Sequence, residues 1–171
     1  MTGIDAHHDE LRRLTVLYWL GRSDPHAVES WIAAEFEYNA EPDPSLHRLF
    51  SHNDESVRWL CHLAKSQLGF VPTSHAGVKV AQSILASYLQ KLLNREIQPD
   101  ALCSLVNAID GQFIDALPTD DPKVAYYPKW LGDLWNCCDY CDPTWTSDSA
   151  QHLLQEAQTV LAQLSDPKSN L

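Results

Sequence analysis

The sequence has few basic residues. It contains 12 lysines and arginines against 23 aspartates and glutamates, which gives a formal net charge of -11. Proteins that bind nucleic acid through its phosphates need clustered basic side chains, and so do proteins that dock on anionic lipid. The composition therefore argues against nucleic-acid binding and membrane binding, and it favours a partner that is itself basic.

Long apolar runs are missing as well. No uninterrupted apolar stretch approaches the roughly 20 residues that a membrane-spanning helix requires. The first residues, from Met1 to Glu10, are polar, so they lack the basic start and the apolar centre of a secretory signal. We therefore expect a cytoplasmic protein.

Catalytic signatures are also absent. The chain has no His-Glu-x-x-His, Gly-x-Ser-x-Gly, phosphate-loop or Gly-x-Gly-x-x-Gly motif. The histidines are scattered, and His7 and His8 fall in an N-terminal turn that we expect to be frayed. Cys61 and His62 are adjacent, and adjacent side chains diverge by about 100° on a helix, so these two cannot form a catalytic pair with each other. We expect no catalytic residue, no cofactor and no enzyme activity.

Prolines divide the chain into helical segments. None of the ten prolines lies inside an apolar stretch with helical period, and that period is clearest from Val78 to Leu92. No strand-like alternation of useful length appears, and there is no Asn-Gly or Asp-Gly hairpin turn. A chain of 171 residues fits one domain. We predict an all-α fold, a single-domain irregular helical bundle of about seven helices over residues 1–171.

Local signals set the ends of several helices. Asp24 followed by Pro25 is typical of an N-cap residue and the first position of a helix. Gly21 and Gly69 follow helical stretches, and we expect each to end its helix, Gly21 as a left-handed cap. Glu35 is expected to lie away from the apolar face of the second helix. That face is predicted to hold Val28, Trp31, Ile32 and Phe36.

Charge is segregated along the chain. Residues 1–55 hold eleven acidic and four basic side chains, residues 56–95 hold five basic ones and no acid, and residues 96–148 hold ten acidic and two basic ones. In one interpretation the basic helices neutralise the acidic ones through exposed ion pairs, which contribute about 0–1 kcal/mol each. In the other, an acidic face stays unpaired and attracts a basic protein.

Aromatic residues are concentrated between Tyr126 and Trp145, which we call the aromatic segment. It holds three Trp, three Tyr and three Cys among three Asp. Trp and Tyr are enriched at binding hot spots, and carboxylates among them suit a cationic partner. On a helix from Lys129 to Tyr140, however, Trp130 and Leu134 share one stripe, which is equally typical of a buried helix. Both interpretations stay open.

The candidate partner-binding residues follow from this mixture of charge and aromatic rings. A second acidic group, Glu35 with Glu37, Glu41 and Asp43, lies earlier in the chain. The residues that we predict to bind a partner are Asp120, Asp121, Tyr126, Asp133, Trp135, Asp139, Tyr140, Asp142 and Trp145.

The five cysteines are an odd number in a chain without a secretory signal, which indicates reduced thiols. Cys138-x-x-Cys141 has the spacing of metal ligands, with Cys137 beside it. A closed zinc site needs four ligands, usually from two such pairs, and Cys61 and Cys103 are expected far away in apolar helix stripes. We predict buried thiols and no metal, with a zinc site and a redox pair as alternatives.

The run from Tyr127 to Asp142, Tyr-Pro-Lys-Trp-Leu-Gly-Asp-Leu-Trp-Asn-Cys-Cys-Asp-Tyr-Cys-Asp, resembles a pattern in small, all-helical bacterial immunity proteins of toxin–immunity systems. The run from Leu92 to Pro99, with Cys103 shortly after it, is similar in kind. The resemblance implies a cytoplasmic antidote that binds a cognate toxin and blocks its active site or its assembly. It implies no particular binding residues, because immunity contacts differ between pairs.

The predicted function is therefore neutralisation of a cognate toxin by an acidic and aromatic surface. The toxin is expected to be basic. A nuclease is one candidate, because its cleft must hold a phosphate backbone that an acidic protein can replace. A helical adaptor or regulatory domain with a different protein partner is the alternative, since the same surface features favour it.

Overall fold

The computed structural model describes residues 3–22, 24–51, 54–114, 129–139 and 141–165. These residues are mostly helical and none of them forms a strand, which confirms the predicted all-α fold. None of the described helices is both long and apolar enough to cross a membrane. The α-helices are α1 (Gly3–Trp19), α2 (Pro25–Tyr38), α3 (Asp54–Leu68), α4 (His75–Leu93), α5 (Pro99–Ile109), α6 (Lys129–Cys138) and α7 (Gln151–Ser165), with a 3₁₀ helix at Pro44–Ser51 and a π-helical turn at Asp110–Ile114.

The chain divides into two compact units. The first runs from Met1 to Val80 and the second from Ala81 to Leu171, so the boundary falls inside α4. Each unit has its own buried apolar residues. The single domain over residues 1–171 stays a prediction.

The core of the first unit lies among α1, α2, α3 and the 3₁₀ helix. α1 packs against both α2 and α3, and the 3₁₀ helix packs against α3. The buried leucines and valines recur at helical spacing, so each helix turns one apolar stripe toward its neighbours. Fully buried members of this core are Leu11, Leu14, Val28, Leu49, Leu60 and Ala64.

In the second unit, α6 packs against α5 on one side and α7 on the other. This arrangement decides which residues of the aromatic segment face inward. It also places the end of α6 beside α5, where the cysteines of both helices can meet. Fully buried members of this core are Leu102, Leu105, Val106, Leu131, Leu134, Leu153, Ala157 and Val160.

The predicted helix ends are confirmed. A carboxylate oxygen of Asp24 accepts a hydrogen bond of 3.1 Å from the backbone N–H of Ala27, and Pro25 is the first residue of α2. Gly21 and Gly69 have φ angles of 69° and 62°, the left-handed conformation that a residue without Cβ adopts at low cost. These local signals need no knowledge of the tertiary fold, which is why the sequence suffices for them.

The predicted apolar face of α2 is wrong at two residues, Glu35 and Phe36. Glu35 is 5% exposed, whereas Phe36 is 59% exposed. Glu35 follows Trp31 by four residues and Ile32 by three, so helical geometry keeps it on their stripe and turns Phe36 toward solvent. A buried carboxylate is costly unless it is hydrogen-bonded, and the partners of Glu35 are described below.

Candidate functional site

The inward stripe of α6 is core. Trp130, Leu131, Leu134 and Cys138 are all buried in the packing of α6 with α5 and α7. For these residues the buried-helix interpretation of the aromatic segment is correct. They hold α6 in place and are not free to contact a partner.

Trp135 lies in the last turns of α6, and Asp139 follows the last residue of the helix, Cys138. Trp135 is half-buried and Asp139 is exposed. Asp133, two residues before Trp135, is half-buried. Burial is the main cause of the raised pKa of the Cys137 thiol, and the charges of Glu156 and Asp133 add to it.

The loop after α6 holds a second carboxylate, Asp142, and a second indole, Trp145. The backbone N–H of Trp145 donates to the backbone carbonyl oxygen of Asp142 at 2.9 Å, which closes a turn between the two residues. The N–H of Thr144 donates to the Asp142 carboxylate at 2.8 Å, and this hydrogen bond lowers the pKa of Asp142. Asp142 is therefore an exposed, ionised side chain, and Trp145 is half-buried with its ring edge against His152, 5.0 Å between centroids.

We call Trp135, Asp139, Asp142 and Trp145 the acidic–aromatic surface. These residues and Asp133 are the predicted partner-binding residues that the structure describes. The remaining predicted residues lie outside the described part of the chain. They are Asp120, Asp121, Tyr126 and Tyr140.

The basic residues of the middle of the chain neutralise little of this surface. Arg95 Nη2 lies 3.0 Å from Asp148 Oδ1, and both side chains are largely exposed. The Lys91 ammonium lies over the ring of Tyr88, 5.7 Å from its centroid. Within the described ranges, the salt bridges include none from the carboxylates of Asp133, Asp139 and Asp142. This pattern favours the interpretation in which an acidic face remains available.

His7 and Glu35 form a buried pair in the first unit, which corrects two predictions. His7 was expected in a frayed turn and Glu35 on an acidic surface, yet the histidine is 7% and the glutamate 5% exposed. His7 Nε2 lies 2.6 Å from Glu35 Oε2, and the other carboxylate oxygen accepts from Asn39 at 3.3 Å and Gln67 at 3.4 Å. Glu35 is therefore removed from the second acidic group of partner candidates.

The His7 ring also stacks on Trp31, with 4.9 Å between centroids and planes 8° apart. A groove of about 450 Å³ opens beside it, and Tyr38 and Glu10 are among its lining residues. Glu10 is already held by Arg13 through two hydrogen bonds of 2.7 and 2.8 Å. The polar groups around this pair are hydrogen-bonded to one another. We therefore assign the His7–Glu35 pair a structural role, which is to hold α1 against α2.

Three cysteines meet in the second unit, which corrects the expectation that Cys103 lies far from the others. The thiols of Cys138 and Cys141 both act on the pKa of Cys103, so the three side chains lie near one another. A hydrogen bond with Cys138, followed by burial, raises the pKa of Cys103 far above its usual value. Burial, followed by the bond with Cys103, raises the pKa of Cys141 to about 12.

The His7–Glu35 pair and the three cysteines differ in how far the sequence predicts them. His7 precedes Leu11 by four residues and Leu14 by seven, so it falls on the buried stripe of α1 and the spacing alone predicts its burial. For Cys103 the helical period predicts only that the side chain faces a core. It does not predict which thiols Cys103 meets, because the packing of α5 on α6 determines that.

Comparison with known protein families, with curated proteins and with solved structures finds no match to this chain. Any functional conclusion therefore depends on the residues themselves.

Proposed function

We propose that this chain is a toxin-neutralising immunity protein that binds a basic protein partner through the acidic–aromatic surface. The observation that carries the proposal is that exposed carboxylates and half-buried indoles occur together over a short stretch of the chain. Trp135 lies in α6 and Asp139 directly follows it, and Asp142 and Trp145 lie three residues apart in the loop after it. Two half-buried indoles, near acids that make no salt bridge within the described part of the chain, suit an interface with a cationic partner.

Carboxylates and indoles contribute to binding in different ways: the first affect association and the second affect dissociation. Exposed carboxylates attract a cationic partner over several ångströms, and complementary charge raises association rates toward about 10⁸–10⁹ M⁻¹s⁻¹ at low salt. Half-buried indoles then exclude water at the contact and slow dissociation. The surface therefore supports fast and tight binding, which neutralisation of a toxin requires.

The proposal names a basic toxin because of two further observations. The net charge of -11 favours a cationic partner, and the run from Tyr127 to Asp142 resembles immunity proteins. A nuclease domain is a suitable partner because its phosphate-binding cleft is basic, and acids such as Asp139 and Asp142 can occupy it in place of nucleic acid. The proposed site of action is the cytoplasm.

The test is co-expression with a neighbouring gene product. An open reading frame next to this gene that encodes a small basic domain is expressed in cells with and without the present chain. We expect the chain to restore growth and to co-purify with the basic domain at a fixed ratio. No rescue together with no co-purification would refute the proposal.

Charge-reversal variants locate the contact. Asp139→Lys combined with Asp142→Lys is expected to abolish rescue, while the matched pair Glu37→Lys and Glu41→Lys, on exposed acids of the first unit, is expected to keep it. Loss of rescue only in the second pair would move the interface to the first unit. Recovery of a host regulator in place of a toxin would select the adaptor function.

A further inference from the structure

A groove on the surface of the first unit is not used by the proposed function. Residues of α1 and α2 line it, and its volume of about 450 Å³ is in the range of about 300–1,000 Å³ that small-molecule sites occupy. Small side chains leave this space open, because Ala6, Ala27 and Ala34 line the groove where larger residues would fill it. The groove therefore has room for a small ligand without a rearrangement of the helices.

Aromatic rings form a fixed wall of the groove. The His7 ring is stacked on Trp31, and its centroid lies 5.3 Å from that of the Tyr38 ring. The hydrogen bond of His7 to Glu35 and the one from the Trp31 indole to the backbone of His7 hold the stack in place. These rings are thus in position before a ligand arrives, which lowers the ordering cost of binding.

Tyr38 is the ring of this wall that a ligand can reach. It is the last residue of α2 and is 55% exposed, whereas Trp31 is 2% and His7 is 7% exposed. The face of a tyrosine ring attracts a cation that lies within about 6 Å of its centroid. An exposed tyrosine beside an apolar groove therefore suits a ligand that has both an apolar body and a positive charge.

The surrounding charge also favours a cation. The described residues that line the groove include one carboxylate, Glu10, and no lysine or arginine. Arg13 holds that carboxylate in place through two hydrogen bonds. Residues 1–55 hold eleven acidic and four basic side chains, so this part of the chain has a net charge of -7. The negative potential that results attracts cations and repels anions.

We propose that the groove binds a small organic cation, an amine with a flat aromatic body. The apolar body lies among the alanines, beside the His7–Trp31 stack, and the ammonium group lies against the ring of Tyr38. A neutral ligand of the same shape lacks the attraction between the ammonium group and the ring, and an anionic one is repelled. This binding does not depend on the toxin, because the groove belongs to the first unit and the acidic–aromatic surface to the second.

Titration of the full chain with three probes tests the proposal. Tryptamine, tryptophol and indole-3-propionate share an indole ring on a two-carbon chain, which ends in an ammonium, a hydroxyl or a carboxylate group. Shifts of the backbone amide signals in NMR spectra give the affinity and locate the site. We expect tryptamine to bind about tenfold more tightly than tryptophol, the size of one cation–π contact, and indole-3-propionate to bind most weakly. Equal affinities, no binding of tryptamine, or shifts confined to residues outside α1 and α2 would overturn the proposal.

Two matched pairs of α2 variants, each checked for folding by circular dichroism, complete the test. Tyr38→Ala is expected to weaken tryptamine binding about tenfold, whereas Phe36→Ala, which removes a ring of similar exposure that is not among the described lining residues, should leave it unchanged. Ala34→Leu fills the groove and should abolish binding, whereas Ala33→Leu, at the exposed neighbouring position, should keep it. Equal effects within either pair would overturn the proposal. So would a dimer that Tyr38→Ala dissociates in sedimentation, since a second copy would then occupy the groove.

Discussion

His7 and Glu35 join α1 to α2 through a buried hydrogen bond, with His7 Nε2 2.6 Å from Glu35 Oε2. The second oxygen of Glu35 accepts from Asn39 and Gln67, and the indole N–H of Trp31 donates to the backbone carbonyl of His7 at 3.2 Å. A carboxylate is stable at this depth only because each oxygen has a partner.

Replacement of His7 by alanine is therefore expected to destabilise the first unit. His7→Ala leaves the Glu35 carboxylate buried without its closest partner and removes the ring that stacks on Trp31. Breaking a buried pair in this way typically costs about 3–5 kcal/mol, and we expect the free energy of unfolding to fall by about 3 kcal/mol. Urea unfolding followed by circular dichroism measures the change.

His8→Ala is the matched control, because His8 is the next residue on α1 and is only half-buried. We expect a loss below about 1 kcal/mol for this variant. If both variants lose the same stability, the contribution comes from the helix itself, and the buried pair has no special role.

Gly77 lies in the first turns of α4 and has no room for a side chain. A Cβ at this position would overlap the carbonyl oxygen of Pro72 and lie 2.5 Å from its carbonyl carbon, and backbone atoms cannot rotate away. Gly77→Ala is expected to cost about 3 kcal/mol, at the upper end of the usual range for overpacking. Thermal unfolding of the variant measures this loss as a lower Tm.

Gly111→Ala is the control for this substitution. An ideal Cβ at Gly111 meets no described atom within 4 Å, and its φ angle is not in the left-handed region. We expect stability to change by less than about 0.5 kcal/mol or to rise slightly, because alanine restricts the unfolded chain. A small loss at Gly77 would show that the Pro72 turn can move aside.

Much of the fold could be predicted from the sequence because the signals are local. The N-cap at Asp24 and the left-handed ends at Gly21 and Gly69 depend on a few neighbouring residues. α4 shows the limit of such signals, since it ends with Arg95 in the left-handed conformation, at a φ angle of 61° and with no glycine to mark it. Its end is fixed by the hydrogen bond of 2.8 Å from the N–H of Glu96 to the carbonyl of Lys91.

The candidate site was predictable only in part. Helical spacing predicts that Trp130 and Trp135 lie on different faces of α6. Spacing alone does not predict which of the two faces packs against α5 and α7. The contact of Cys103 with Cys141 spans 38 residues of sequence and depends on how α5 meets α6. Periodicity identifies a buried face, whereas the partner of that face is a property of the whole fold.

Trp145 is the residue at which binding and stability can be separated. If the acidic–aromatic surface binds the toxin, Trp145→Ala is expected to weaken binding by about 2 kcal/mol, the size of a hot-spot contribution, with a smaller loss of stability. Trp130→Ala should do the reverse, because Trp130 is buried in the core of the second unit. Binding titration and thermal unfolding of both variants check this contrast.

Binding of the toxin to the acidic–aromatic surface is expected to weaken as salt is added. Exposed charges are screened beyond about 8–10 Å at physiological ionic strength, so the contribution of Asp139 and Asp142 should decrease as salt is added. Titrations from low to high salt measure the slope, and the double variant Asp139→Asn and Asp142→Asn should flatten it. An affinity that is constant over this range would remove the electrostatic part of the proposal.

Cys103 makes the stability of the second unit depend on pH in the alkaline range. The hydrogen bond with Cys138 and burial raise the pKa of this thiol above its ordinary value of 9.0, so the folded chain keeps the proton that the unfolded chain loses. The contribution is fully present below pH 9 and decreases as pH rises, by at most about 1.4 kcal/mol per pH unit for one group. Urea unfolding between pH 8 and about 10.5, with a reductant present, is expected to show this decline.

Cys103→Ala should flatten that decline, because the variant has no thiol to titrate at this position. Ser104→Ala, at the exposed neighbouring position on α5, should keep it. Tyr18 and the half-buried thiols of Cys61, Cys137 and Cys141 also have raised pKa values, so a residual slope is expected in both variants. The result that contradicts the prediction is an identical slope in the Cys103 and Ser104 variants, since it would mean that Cys103 ionises as easily in the folded chain as in the unfolded one.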